Sequence, residues 1–89
     1  MINTEPGDRQ KITGGQIRAA RALLRWTAEE LAERSKLGVA TIRRAEAVDG
    51  PIPVTVANAD TIVRAFEEVG IEFINGDAPG VRLHPPSGD

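Results

Sequence analysis

Apolar residues recur every three or four positions through most of this chain, then switch to alternation near its end. Ile17, Ala20, Arg21 and Leu24 share one face and predict a first helix over roughly 15–25, with Thr13 as its N-cap. Thr27 followed by Glu30 fits a capping box, and Trp26 with Leu31 fits a hydrophobic staple, so a second helix should start sharply there. Its apolar positions are Leu31 and Ala32, and Ser35-Lys36-Leu37-Gly38 breaks it after about two turns. Gly38 can cap a third helix over roughly 39–47. At 100° per residue Ile42 and Ala45 face inward there, while Val39, Ala40, Arg43, Arg44 and Ala47 face the other way. After a loop containing Asp49-Gly50-Pro51-Ile52-Pro53, Thr55 caps a fourth helix running to about Val69. Its apolar stripe is Val56, Ala59, Ile62, Val63, Phe66 and Val69, and Gly70 is placed to end it. Ile71-Glu72-Phe73-Ile74 and Val81-Arg82-Leu83 flank the turn-like stretch 75–80, which predicts a short β-hairpin. The expected fold is mostly α: a helix-turn-helix bundle of about four helices with a C-terminal β-hairpin.

This pattern fills one domain, residues 13–83, with the hairpin at 71–83. Residues 1–12 show no sustained period and read as a flexible N-terminal arm, in which Arg9 and Lys11 could follow a DNA backbone. Residues 84–89 read as a flexible tail. The chain has two Phe and one Trp, so its core must be mainly aliphatic and small. An isolated two-stranded hairpin is marginal in water and must pack on the helices or pair with another chain.

Charge changes the picture more than composition does. The net charge is −2, yet residues 9–46 hold nine Arg/Lys against four Asp/Glu, and residues 47–89 hold two against seven. The basic half is the half that carries the predicted helix-turn-helix, a segregation that favours a polyanionic partner. The outward face of the third helix could be a merely solvated surface. Small and apolar Val39, Ala40 and Ala47 around Arg43 and Arg44 argue instead for a face that meets something. Arg21, on the inner edge of the first helix, calls for a carboxylate, and Glu46 on the border of the third helix is the candidate.

Other chemistry finds little footing. No cysteine is present, so disulfides and thiolate metal sites are excluded, and the single histidine, His84, has no ligand companions near it in sequence. There is no His–carboxylate constellation and no phosphate-binding glycine loop; Gly14-Gly15 reads as a helix start. An enzyme, a cofactor and a metal are not expected. No apolar run approaches the length of a membrane span, and no signal-like segment opens the chain, so the expected location is the cytoplasm.

Arg21, Thr27, Glu30-Leu31-Ala32, Ala40-Thr41-Ile42, Arg44 and Glu46 together resemble the Cro/repressor-type helix-turn-helix family, also called the XRE family, over about residues 14–70. The segment GIEFINGDAPGVRL is similar to an extension that follows the helices in some small bacterial members. The resemblance implies a lambda-repressor-like bundle whose third helix enters the major groove, and a structural ion pair between Arg21 and Glu46. It implies that Val39, Ala40, Arg43 and Arg44 lie where relatives contact bases or nearby phosphates. Thr27 and Ala28 would meet phosphate at the start of the second helix through backbone N–H groups. Arginine can bind guanine in a bidentate manner, and small apolar groups can meet the thymine methyl.

Three departures stand out. Ala28 replaces a frequent Gln, and Asp49 and prolines follow the third helix where basic residues would be useful. Lys36 replaces the usual turn glycine; a left-handed lysine costs roughly 1 kcal/mol but could bring an ammonium near the DNA backbone. The function implied is sequence-specific binding of double-stranded DNA by a homodimeric transcriptional regulator, a repressor. The dimer contact could be the hairpin edge or the fourth helix. The rival is a protein-interaction module, antitoxin-like or regulator-binding, that uses the acidic C-terminal half.

Overall fold

In a computed structural model that describes residues 11–85, four helices and an antiparallel hairpin surround one core. The helices are α1 (Gly14–Leu24), α2 (Ala28–Ser35), α3 (Val39–Glu46) and α4 (Val56–Glu67). The strands are β1 (Ile71–Ile74) and β2 (Gly80–Leu83), paired Ile71 with Leu83 through Ile74 with Gly80. Among the described residues no helix is long and apolar enough to cross a membrane.

Local chemistry explains the helix starts. Thr13 and Gln16 form a reciprocal capping box on α1, and Thr27 and Glu30 form another on α2, each satisfying two N–H groups. Thr55 caps α4 by accepting from Asn58 N–H. Two helices end on non-glycine residues in the left-handed region. Lys36 (φ 62°) closes α2 as the turn pattern predicts, and Arg25 (φ 59°) closes α1, which no sequence signal marked. Leu37 N–H then returns to Ala32 C=O, so the chain reverses within the short turn before Gly38.

The core runs from Ile17 and Ala20 through Leu31, Ile42 and Ala45 to Ile62, Val63, Phe66 and the hairpin. All three aromatic residues meet in it. The Trp26 and Phe66 rings stack at 5.5 Å, Phe73 meets Phe66 edge-on at 5.7 Å, and the Arg34 guanidinium covers the Trp26 ring at 4.4 Å. Ile71 and Phe73 turn their side chains into this core, and the hairpin thereby escapes the marginality of an isolated pair. Buried Gln16 adds a polar tie, its amide donating to Ile74 C=O at 2.9 Å and Gly80 C=O at 3.0 Å.

Several expectations need correction. Ile12, assigned to the flexible arm, is buried, and its C=O accepts from Ile52 N–H. The arm's first ten residues lie outside the described residues, as do residues 86–89 of the tail. Residues 12–13 tie down the α3–α4 loop: Thr13 and Pro51 form a bridge, and Ile52 fills the core. Helix α4 stops at Glu67, two residues early, where Gly70 at φ 99° redirects the chain into β1. Val56, read as part of the inward stripe, is exposed on the first turn. The second strand begins at Gly80, one residue early. His84 also takes a partner distant in sequence: its ring lies 2.6 Å from the Glu72 carboxylate, and this hydrogen bond holds the Glu72 pKa below its usual value.

Candidate nucleic-acid interface

Helix α3 is only eight residues long, too short to stand alone, so its position depends on what grips it. One stripe of α1 does this. At Gly14 the backbones come so close that an added Cβ would lie 2.0 Å from Val48 C=O and 2.7 Å from Ala45 C=O. One turn on, Arg18 donates to Glu46 C=O, satisfying a carbonyl at the C-terminus of α3, and pairs with Asp49 at 2.8 Å. Farther along, Arg21 binds the Glu46 carboxylate through two N–H groups, at 2.5 and 2.8 Å, and also donates to Trp26 C=O at 2.8 Å. The spacing 14, 18, 21 is one helical face. The Arg21 guanidinium pKa is raised, first by the hydrogen bond to Glu46 and least by the field of Glu29, with burial opposing.

Held in this way, α3 buries Ile42 and Ala45 and turns Ala40, Arg43, Arg44 and Ala47 to solvent. Val39, expected on the same outward face, is only half-exposed and packs partly against the core. Arg44 makes no ion pair among the described residues and edges a shallow recess with Thr41, Pro53, Val54, Thr55 and Asn58. Arg43 differs. It is paired with Glu29 of α2, fourteen residues earlier in the chain.

The remaining predicted positions lie around α2. Thr27 is exposed at its start, with its hydroxyl oxygen occupied by Glu30 N–H. Ala28 is buried on its side-chain face, which leaves its backbone N–H as the group available for an anion. Lys36 is exposed at the other end of α2, about 12 Å away along an eight-residue helix. It sits two residues before the cap of α3. Thus Ala40, Arg43 and Arg44 form one contiguous surface, with Thr27–Ala28 and Lys36 on separate flanks.

Ion pairing also thins the basic half. Of its arginines, Arg18, Arg21 and Arg43 are matched to Asp49, Glu46 and Glu29. Arg25, Lys36 and Arg44 are exposed and make no such pair among the described residues. Sequence reasoning missed Gly14, Gln16, Arg18 and Glu29. Only Arg18 left a trace, as an arginine three positions before Arg21 on the edge of the same helix.

Compared with protein-family models and with curated proteins, the chain matches none.

Proposed function

We propose that this chain is a sequence-specific double-stranded DNA-binding transcriptional regulator, of repressor type, that lays α3 in the major groove. The observation that carries this reading is the outer surface of α3. Exposed Ala40, Arg43, Arg44 and Ala47 lie together on a short helix whose inner face and C-terminal end are fixed by the core and by α1. A groove-reading helix needs this combination: a rigid mount, guanidinium groups for guanine edges or nearby phosphates, and small side chains where a methyl or sugar must fit. Backbone N–H groups at the start of α2 and the Lys36 ammonium would supply phosphate contacts on either side. One such helix reads few base pairs, so the working unit is a homodimer whose two helices meet successive faces of the groove.

Fluorescence anisotropy on the DNA upstream of its own gene and on random duplex, across several salt concentrations, tests the proposal. Affinity should fall steeply with salt, and Arg44→Ala should abolish the preference for the upstream sequence. Lack of binding to any duplex at low salt would remove the reading. Light scattering that finds only monomer, with and without bound DNA, would remove the homodimer.

One observation favours the second reading, a protein-interaction module. An open recess of about 950 Å³ lies between the ends of α1, α4 and β2, lined by apolar Leu24, Val69 and Leu83 and by acidic Glu67 and Glu68. Binding of a protein partner that is lost in Leu83→Asp, in a chain that ignores DNA, would select it.

A further inference from the structure

Arg43 and Arg44 are adjacent in sequence and both exposed, yet among the described residues only Arg43 has a carboxylate. The partner, Glu29, is the second residue of α2, fourteen positions away, and the reversal around Lys36–Gly38 brings the two together. The side chains of Arg43 and Glu29 are 60% and 63% exposed, so the pair contributes little to folding. Its place on the molecule is more telling. It bridges the start of α2 to the outer surface of α3, where the proposed function requires an anion to approach.

We propose that Glu29 is a specificity-determining residue that occupies Arg43 in the free protein and withholds it from the phosphate backbone. This rests on the DNA-binding reading above. Phosphates are the same along every duplex, so an arginine free to reach them from the Arg43 position would strengthen binding to all sequences alike. With Glu29 in place, a phosphate must displace a carboxylate already bound, and the displaced carboxylate then sits against a polyanion. Random DNA gains almost nothing from Arg43 under those terms. Discrimination is left to contacts that depend on the base, chiefly those of Arg44 and the small residues beside it. The carboxylate acts as a stand-in for phosphate, and its effect is to lower background affinity.

The test uses the full chain and two duplexes: one of random sequence and one selected by the wild type from a random pool. Glu29→Gln keeps the shape and removes the charge. It should tighten binding to the random duplex about three- to tenfold at low salt, and steepen the log–log salt slope by about 0.9, the signature of one added phosphate contact. The selected duplex should gain less, so the ratio between the two falls. Glu33→Gln removes a charge from the same helix without touching Arg43 and should leave the ratio unchanged. In an Arg43→Gln background, Glu29→Gln should also have no effect on slope or ratio. An equal change in Glu33→Gln, persistence of the effect without Arg43, or an unaltered Glu29→Gln would overturn the role of Glu29 while leaving DNA binding intact. A wild type that binds no duplex at low salt, or selects none from the pool, would overturn the sequence-specific DNA-binding reading itself, and this role with it. Melting curves of the four variants check the fold, because a structural role alone would move the melting temperature and not the salt slope.

Discussion

The two ends of α3 are built in opposite ways. At the C-terminal end, α1 supplies a backbone approach at Gly14, a guanidinium on the last carbonyls from Arg18 and a two-pronged bridge from Arg21 to Glu46. At the N-terminal end, Gly38 caps the helix without any side-chain hydrogen bond, and a Cβ built there would touch nothing within 4 Å. The short helix is thus clamped behind and open in front. The reading role proposed above asks for a rigid helix with the outward side of its leading turn clear, and dividing these duties between the two ends would meet both needs.

If that contrast is correct, damage to the clamp should be far costlier than change at the open end. Gly14→Ala should have the largest effect, because the new methyl group would lie inside a backbone carbonyl and α1 would have to move; we expect a loss of about 3 kcal/mol or more in urea unfolding. A loss below about 1 kcal/mol would mean that the close approach is not a constraint. Arg21→Ala comes next. It leaves the carboxylate of Glu46, whose side chain is 10% exposed, without its partner. Breaking a fully buried pair costs about 3–5 kcal/mol; partial exposure of Arg21 reduces this to about 2–3 kcal/mol. Arg21→Ala combined with Glu46→Gln should recover part of that loss, and no recovery would argue against an orphaned charge as its cause.

At the front the effects should be small and favourable. Lys36→Gly relieves a left-handed lysine but frees the unfolded chain, for a net gain of about 0.5–1 kcal/mol in chemical denaturation. Gly38→Ser adds a capping oxygen in open space and should raise stability by a few tenths of a kcal/mol, read as a small rise in melting temperature. A marked loss from Gly38→Ser would show that the leading end is more crowded than described.

The same contrast separates what the sequence displayed from what it concealed. Thr27 with Glu30, Thr55, the apolar stripe of α4 and the alternation at 71–74 are local signals, carried by residues three or four apart or by a short run, and each led to the right kind of element. The Arg21–Glu46 bridge was legible at long range because an arginine at the inner edge of a helix demands a carboxylate. The close approach at Gly14 involves carbonyls some thirty residues away, and a glycine beside a glycine at a helix start has a sufficient local explanation. Arg18, Glu29 and Gln16 were hidden because polar residues on a helix edge look alike until the neighbouring element is in place. Ile12 escaped notice because a single apolar residue carries no period. Of the candidate interface, the outward set on α3 was readable from the helical wheel, apart from Val39; the pairing of Arg43 was not.

Gln16 carries one more consequence, which concerns the order in which the molecule assembles. Its amide closes loops of 58 and 64 residues onto the two sides of the hairpin, while its backbone and side chain also complete the start of α1. Such long closures are unfavourable until most of the chain is already compact. The last polar tie to form would then belong to α1, so the hairpin seals the fold from its far end. Gln16→Ala should therefore accelerate unfolding in stopped-flow measurements and leave the refolding rate nearly unchanged; a slowed refolding limb would place this tie in the nucleus instead.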